Sequence, residues 1–282
     1  MIWQNQTIMR RRSQLIPWKV AGRVSERHLS GDDVVRETGW VFNNEIGDDL
    51  TLAEFVATGD DEVPAYLEAF GLREDANAER TMIEIGSGIG RMTVAFTREF
   101  GSVIAADLDI GFLERCRETV ARFGRVERLR TLEVADGRTL ELADNTCDLA
   151  FSYITLQHCV ERDALSLVNE AVRVTAPGGQ VALNFRGPGQ ADPLLLPLGT
   201  VTRALFRVPR VGEWLSQRRS IARLAWQANR LAPTEVLRML EPRITDVVVW
   251  VNPKGTISGG SSVVRHFDGI NTNHWWLIAT VA

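Results

Sequence analysis

Three glycines at alternate positions, Gly86, Gly88 and Gly90, follow the apolar run Thr81-Met82-Ile83-Glu84-Ile85 and lead into Arg91-Met92-Thr93. A strand that runs into such a loop and then a helix presents bare backbone N–H groups and a helix N-terminus to a ligand. The spacing is G-x-G-x-G with Arg91 next, which differs from the G-x-G-x-x-G of a dinucleotide site, and no G-K-[ST] follows to make a phosphate loop. About twenty residues on, Asp107 closes the next apolar run, where a carboxylate accepts two ribose hydroxyls. It could equally cap the following helix, a role open to Asp109 as well. Asp136-Gly137 follows a third run. A carboxylate there can accept from the exocyclic amino group of adenine, although Asp-Gly alone also makes a turn.

A second set of reactive residues follows the fourth apolar run: Ser152-Tyr153-Ile154-Thr155-Leu156-Gln157-His158. His158 is the first candidate for a general base, because an unperturbed imidazole titrates near neutrality. The competing reading is a histidine that only packs or bonds to backbone. His266, Asp268 and His274 form a weaker set whose spacing matches no metal signature, so a solvated loop and no metal are expected. Cys116, Cys147 and Cys159 fit neither a zinc motif nor a disulfide framework and read as reduced, mostly buried thiols. Trp275 and Trp276 read as core.

The elements that must position these groups alternate from about residue 80 onward. Short apolar runs at 81–85, 102–107, 129–134, 147–153 and 180–185 read as strands. Amphipathic stretches at 89–99, 110–122 and 161–174 read as helices, the last ended by Pro177-Gly178-Gly179. That order predicts an α/β fold with a mainly parallel sheet. Residues 234–240 predict a further helix, and 245–251 with 275–281 an antiparallel pair of closing strands. Earlier in the chain, 63–70 reads as a helix capped by Asp60 or Asp61. Residues 1–78 are expected to form a helical cap, 79–282 the main domain, and 187–231 a helical lid inserted within it.

The 282 residues carry a net charge of −4 and are 45% hydrophobic, which excludes disorder and coiled coil. No apolar run approaches the roughly 18 residues of a bilayer span, so a soluble, cytoplasmic protein is expected. Charge is segregated. Residues 1–28 carry six Lys/Arg against one Glu, 32–79 carry fourteen Asp/Glu against Arg36 and Arg73, and 193–231 carry seven Arg against Glu213. The last segment reads as a solvated lid, as a basic surface for an anionic or lipid-linked acceptor with peripheral membrane attachment, or as a partner surface.

Taken together, EIGSGIGRMT, AADLD, VADGRTLELADNTCDLAFSYITLQHC and RVTAPGG resemble the motifs of class I S-adenosylmethionine-dependent methyltransferases, in order and spacing. The resemblance covers roughly 79–187 and, more weakly, 232–282. It implies a Rossmann-like, doubly wound, seven-stranded sheet with the last strand antiparallel, and the lid falls between strands 5 and 6. By position, Glu84, Gly86, Gly88 and Gly90 would cradle the methionine part of S-adenosylmethionine. Asp107 would hold its ribose, and Ala135, Asp136 and Gly137 would border its adenine. Phe55 to Gly59 resembles a segment that closes over the methionine end in some members. Ser152-Tyr153-Ile154-Thr155 is unlike the Asn/Asp-Pro-Pro-aromatic run of enzymes that methylate DNA amino groups, and no basic stripe is interleaved with aromatics. The expected acceptor is therefore a small molecule, with no nucleic acid, and an oxygen acceptor is favoured over nitrogen or carbon. A protein methyltransferase, or a cofactor-binding subunit that has lost catalysis, remains the alternative.

Overall fold

Residues 81–85 and 102–107 form strands with the bounds their apolar runs predict: β1 is Thr81–Ile85 and β2 is Ser102–Asp107. The computed structural model describes residues 30–42, 50–189, 191–206, 208–216, 224 and 228–282. The sheet continues with β3 (Leu129–Glu133), β4 (Cys147–Ser152), β5 (Thr175–Arg186), β6 (Ile244–Val251), β7 (Val263–His266) and β8 (His274–Val281). Its order is β3-β2-β1-β4-β5-β8-β6-β7. Strands β1 to β5 are parallel, and β8 inserts antiparallel between β5 and β6. The sheet has eight strands where seven were expected. The added strand, β7, pairs with β6 at the sheet edge and is exposed along its whole length. It is held by backbone hydrogen bonds with no buried side chain, so it leaves no alternation for a sequence reading to detect.

Successive side chains of a strand point to opposite faces, and both faces here are covered. Ile83 and Ile85 join one buried cluster with Ile104, Val168, Leu183 and Leu237. Met82 joins the other, with Val103, Phe96, Tyr66 and Trp276. The helices between strands are α3 (Thr93–Glu99), α4 (Ile110–Phe123) and α5 (Glu161–Val174), with α8 (Pro233–Leu240) before β6. Pro177-Gly178-Gly179 does not end α5, which stops at Val174. The tripeptide bulges between two paired positions, Thr175 opposite Cys147 and Gln180 opposite Leu149.

The first two described helices are α1 (Gly31–Phe42) and α2 (Leu52–Ala69). Helix α2 begins eleven residues before the predicted start at 63, and neither Asp60 nor Asp61 caps it. Thr51 and Glu54 form a capping box instead: Glu54 N donates to Thr51 Oγ1 (3.2 Å) and Thr51 N to Glu54 Oε2 (2.8 Å). The Thr-x-x-Glu signal was present in the sequence, and the acidic run ahead of Pro64 obscured it. Asp60 pairs with Arg98 at 2.8 Å.

The chain divides into two compact units, one drawn from residues 1–55 and 190–228, the other from 56–189 and 229–282. The sheet belongs to the second. In the first, Asp33 N donates to Ser30 Oγ (3.2 Å) at the start of α1, and Leu52 N donates to Asp32 Oδ1 (2.7 Å). The same unit contains α6 (Asp192–Leu205) and α7 (Pro209–Ser216), in the interval between β5 and β6 where a helical insertion was expected. The basic arm at 1–28 and Arg207, Arg218, Arg219 and Arg223 of the insertion lie outside the described residues. Among the described residues no helix is long and apolar enough to cross a membrane.

Candidate functional site

The three glycines after β1 all take left-handed backbone conformations, with φ of 86°, 55° and 94°. At Gly86 the requirement is absolute. A Cβ there would lie 2.1 Å from Thr155 Oγ1 and 2.6 Å from Thr155 Cβ. One residue before the end of β1, the buried Glu84 accepts from Thr93 Oγ1 at 2.6 Å, tying the strand to the first residue of α3. The helix therefore starts at Thr93, after a turn through Gly90-Arg91-Met92, rather than at the predicted residue 89.

Asp107 and Asp109 divide the two roles the sequence left open between them. Asp109 caps α4, accepting from Gly111 N (2.9 Å) and Phe112 N (3.3 Å). Asp107 turns to the glycine loop: Oδ2 accepts from Gly88 N at 2.9 Å and Oδ1 from Asp109 N at 3.0 Å. Burial pushes Asp107 up to about 6, against the pull of those N–H groups. Burial likewise pushes Glu84 up to about 7, against the Thr93 hydroxyl, with Asp107 adding repulsion. A buried carboxylate, Glu84, and a half-buried one, Asp107, flanking a loop that is glycine at alternate positions suit a ligand that brings hydroxyl donors and a cationic centre. S-adenosylmethionine, with its ribose, ammonium and sulfonium, fits that donor set.

At the expected adenine end, Asp136 builds the turn. Its Oδ1 accepts from Arg138 N and Thr139 N, both at 2.8 Å, and its Oδ2 from Thr139 Oγ1 at 2.8 Å. Burial works against ionisation there, and these hydrogen bonds outweigh it to hold the carboxylate below its ordinary value. Oδ2 keeps lone-pair capacity for an amino group. Ala135 is half-buried beside it, and Gly137 takes φ of 72°.

The loop after β4 packs directly onto the glycine loop. Ser152 Oγ donates to Ile85 O at 2.9 Å, and Ile154, a β-branched residue, is held at φ of 49°. Such strain is uncommon for this residue type and concentrates at functional sites. Asn184 of β5 accepts from Ile154 N at 3.3 Å and also contacts His274 Nδ1 at 3.3 Å. His158 is buried in a 3-10 turn, Leu156–His158, its own N–H donating to Thr155 O at 2.9 Å. Its Nε2 lies 3.2 Å from Gln157 Nε2. The direction of that contact depends on the ring tautomer and on which way the amide is turned. Gln157 Oε1 is buried and has no hydrogen-bond partner among the described residues. Asn229 pins the turn, donating to Leu156 O (2.7 Å) and Cys159 O (2.9 Å).

His266, Asp268 and His274 do not assemble. His266 and Asp268 are exposed, whereas His274 is buried on β8. Burial, with Arg186, His158 and Arg230 adding positive charge, pushes His274 down to about 3 and keeps it neutral. The sequence reading missed Asn184 and Arg91, whose roles arise from contacts distant in the chain, and Gln157, which touches the adjacent His158 and stands out only by its burial. Arg91 is buried and bonds to Thr58 Oγ1 (3.1 Å) and Glu62 Oε2 (2.9 Å) of α2, with its guanidinium 5.9 Å from the Tyr153 ring centre. Gly59 allows that approach, since a Cβ there would lie 2.2 Å from Arg91 O. Part of the Phe55–Gly59 segment thus rests on the glycine loop. Trp275 and Trp276 are fully buried, and burial pushes the thiols of Cys116, Cys147 and Cys159 up to about 12.

Residues 83–183 match the methyltransferase domain family. Over 106 residues the chain is 30% identical to phosphoethanolamine N-methyltransferase 1 of Triticum aestivum, covering 37% of this chain and 21% of that protein. Over 121 residues it is 31% identical to a malonyl-[acyl-carrier protein] O-methyltransferase of Methylococcus capsulatus, covering 42% of this chain and 41% of that protein. The chain thus matches less than half the length of these curated relatives. The crystal structure of magnesium protoporphyrin IX methyltransferase from Synechocystis, with bound S-adenosylhomocysteine, superposes with a TM-score of 0.51 at 14% identity. It covers 89% of this chain and 98% of that one, and shows the shared fold.

Proposed function

We infer, from a chain that carries a class I S-adenosylmethionine-dependent methyltransferase domain at residues 83–183, that the protein transfers a methyl group to a hydroxyl oxygen of a small molecule. The observation that carries the cofactor half of this reading is the half-buried Asp107 carboxylate, held by Gly88 N–H beside the glycine loop. S-adenosylmethionine supplies a methyl carried on a sulfonium, ready for in-line displacement by an oxygen lone pair. The chain's own residues then have three tasks. Glu84, the glycine loop and Asp107 hold the cofactor, with Ala135, Asp136 and Gly137 at its adenine. The loop 152–158 excludes water and orients the acceptor. His158 takes the hydroxyl proton at a ring nitrogen as the oxygen attacks. Gln157 Oε1 supports a polar acceptor, because a hydroxyl donor would satisfy that buried oxygen. The named relatives act on both nitrogen and oxygen, so the preference for oxygen rests on His158. We assign residues 1–78 and 187–231 the cap and lid roles that select the acceptor.

Incubation with methyl-labelled S-adenosylmethionine and a panel of alcohols, phenols, acids and amines tests the reading. Label transfer to a hydroxyl compound is expected. Cofactor binding with no transfer across the panel would instead favour a non-catalytic subunit.

Cofactor affinity should also depend on pH. Asp107 and Glu84 have folded values near 6 and 7 against ordinary values of 3.8 and 4.5. The unliganded fold therefore binds protons more tightly than the unfolded chain. Its stability contribution from these groups is full below about pH 4 and is lost as pH rises to about 7. The cofactor's hydroxyl and cationic groups favour the ionised carboxylates and oppose that loss. From Asp107 alone the affinity is expected to tighten about tenfold between about pH 5 and 7.5, with a proton released on binding near pH 6. Calorimetry in buffers of different ionisation enthalpy measures both, and a flat profile would remove Asp107 from the ribose site.

A further inference from the structure

Helix α6 exposes the side a helix ordinarily hides. Asp192, Gly199 and Thr202 are buried along one stripe, and a Cβ on Gly199 would lie 2.5 Å from Leu224 O in the same unit. On another stripe, Leu194, Leu198, Val201 and Leu205 recur at intervals of four, three and four residues. They are 69%, 44%, 57% and 42% exposed. Val208 and Val211 extend the apolar surface into α7, where Trp214 is 51% exposed while Leu215 is buried. A helix at a protein surface normally turns its apolar stripe inward, and a contiguous exposed one marks a docking site.

We propose that this stripe, α6 with the start of α7, docks onto an anionic lipid bilayer as an interfacial helix. Charge supplies the first argument for that occupant. Residues 193–231 carry seven Arg against one Glu, a net +6 in a chain whose total is −4, which leaves −10 for the rest. Positive charge is thus concentrated in the segment that exposes the leucines and in the arm at 1–28, and an anionic surface attracts these two while repelling the acidic rest of the chain. Arg210 is exposed between Val208 and Val211, and the one acidic residue of α6, Asp192, is on its buried stripe. Trp214 is the second argument, since an indole with an apolar body and a polar N–H suits the headgroup level. Self-association through the same surface would oppose two segments of +6, a like-charge contact that disfavours a second copy as the occupant.

Cosedimentation of the full chain with vesicles tests the proposal, and it does so without reference to methyl transfer. Binding to an equal mixture of phosphatidylglycerol and phosphatidylcholine is expected, with little binding to pure phosphatidylcholine and a steep loss in high salt. The double variant Leu198→Glu/Val201→Glu should bind those vesicles at least about tenfold more weakly. Both positions are exposed, so its melting temperature and cofactor affinity should match the wild type. Arg210→Glu should weaken binding and flatten its salt dependence. Vesicle binding unaffected by the double substitution overturns the proposal. So does absence of binding together with a concentration-dependent dimer that the double variant abolishes, which would assign the stripe to a second copy.

Discussion

Gly86→Ala is expected to lower affinity for S-adenosylmethionine at least about 100-fold, roughly 2.8 kcal/mol. Two effects combine. The backbone at φ of 86° is a conformation that Ala adopts only with strain. The new Cβ would also meet Thr155 Oγ1, Cγ2 and Cβ at 2.1, 2.3 and 2.6 Å, so no rotation of the Thr155 side chain relieves the overlap. Either the glycine loop or the 152–158 loop must shift, and the first displaces Gly88 N from Asp107. Gly71→Ala is the control. Gly71 has φ of 71° but nothing within 4 Å of the Cβ position, so it carries the backbone strain alone. Both variants should melt lower than the wild type, and only Gly86→Ala should lose the cofactor, as read by calorimetry. Wild-type affinity in Gly86→Ala would show that the ligand does not approach this backbone.

His158→Ala is expected to lower turnover about 100-fold or more while leaving cofactor affinity within about twofold, the pattern of a lost general base. The residue is buried in the turn after β4, and Gln157 adjoins its ring. A purely structural histidine at this place would give a different pattern: a lower melting temperature, weaker cofactor binding through the shifted 152–158 loop, and an unchanged pH profile per bound enzyme. The discriminating readout is the pH dependence of turnover under cofactor saturation. A pH-dependent limb present in the wild type and absent from the variant is the result expected of a general base. Unchanged turnover removes His158 from the reaction and, with it, the main ground for an oxygen acceptor.

Much of the sheet was legible because parallel strands buried on both faces read as continuous apolar runs. Thr81–Ile85, Ser102–Asp107 and the helix Glu161–Val174 fall where periodicity puts them. The start of α2 was misplaced for a local reason: Asp60-Asp61-Glu62 ahead of Pro64 imitates a helix beginning, while the true cap lies at Thr51 and Glu54. Strand β7 was illegible because its partner, β6, is reached only through backbone pairing at the edge. At the site, the alternating glycines and Asp107 could be named from spacing. Asn184 and Arg91 could not, because each acts across a gap in sequence that only folding closes, and Gln157, though next to His158, is singled out only by its burial.

By itself, the order of side chains determined that a glycine loop follows a buried strand, that a carboxylate ends the next, and that the basic charge of 193–231 is set apart from an acidic remainder. These are properties of neighbours along the chain, and local sterics and hydrophobic periodicity suffice to state them. Tertiary structure alone decided which aspartate caps and which faces the loop, through the single hydrogen bond from Gly88 to Asp107. It also separated His274 from His266, burying one beside Asn184 and leaving the other on an open edge. Finally, it turned the leucines of α6 outward, a choice the sequence pattern does not contain: an amphipathic period shows that a helix has an apolar side, and only the packing of its other side against a neighbour shows where that side points.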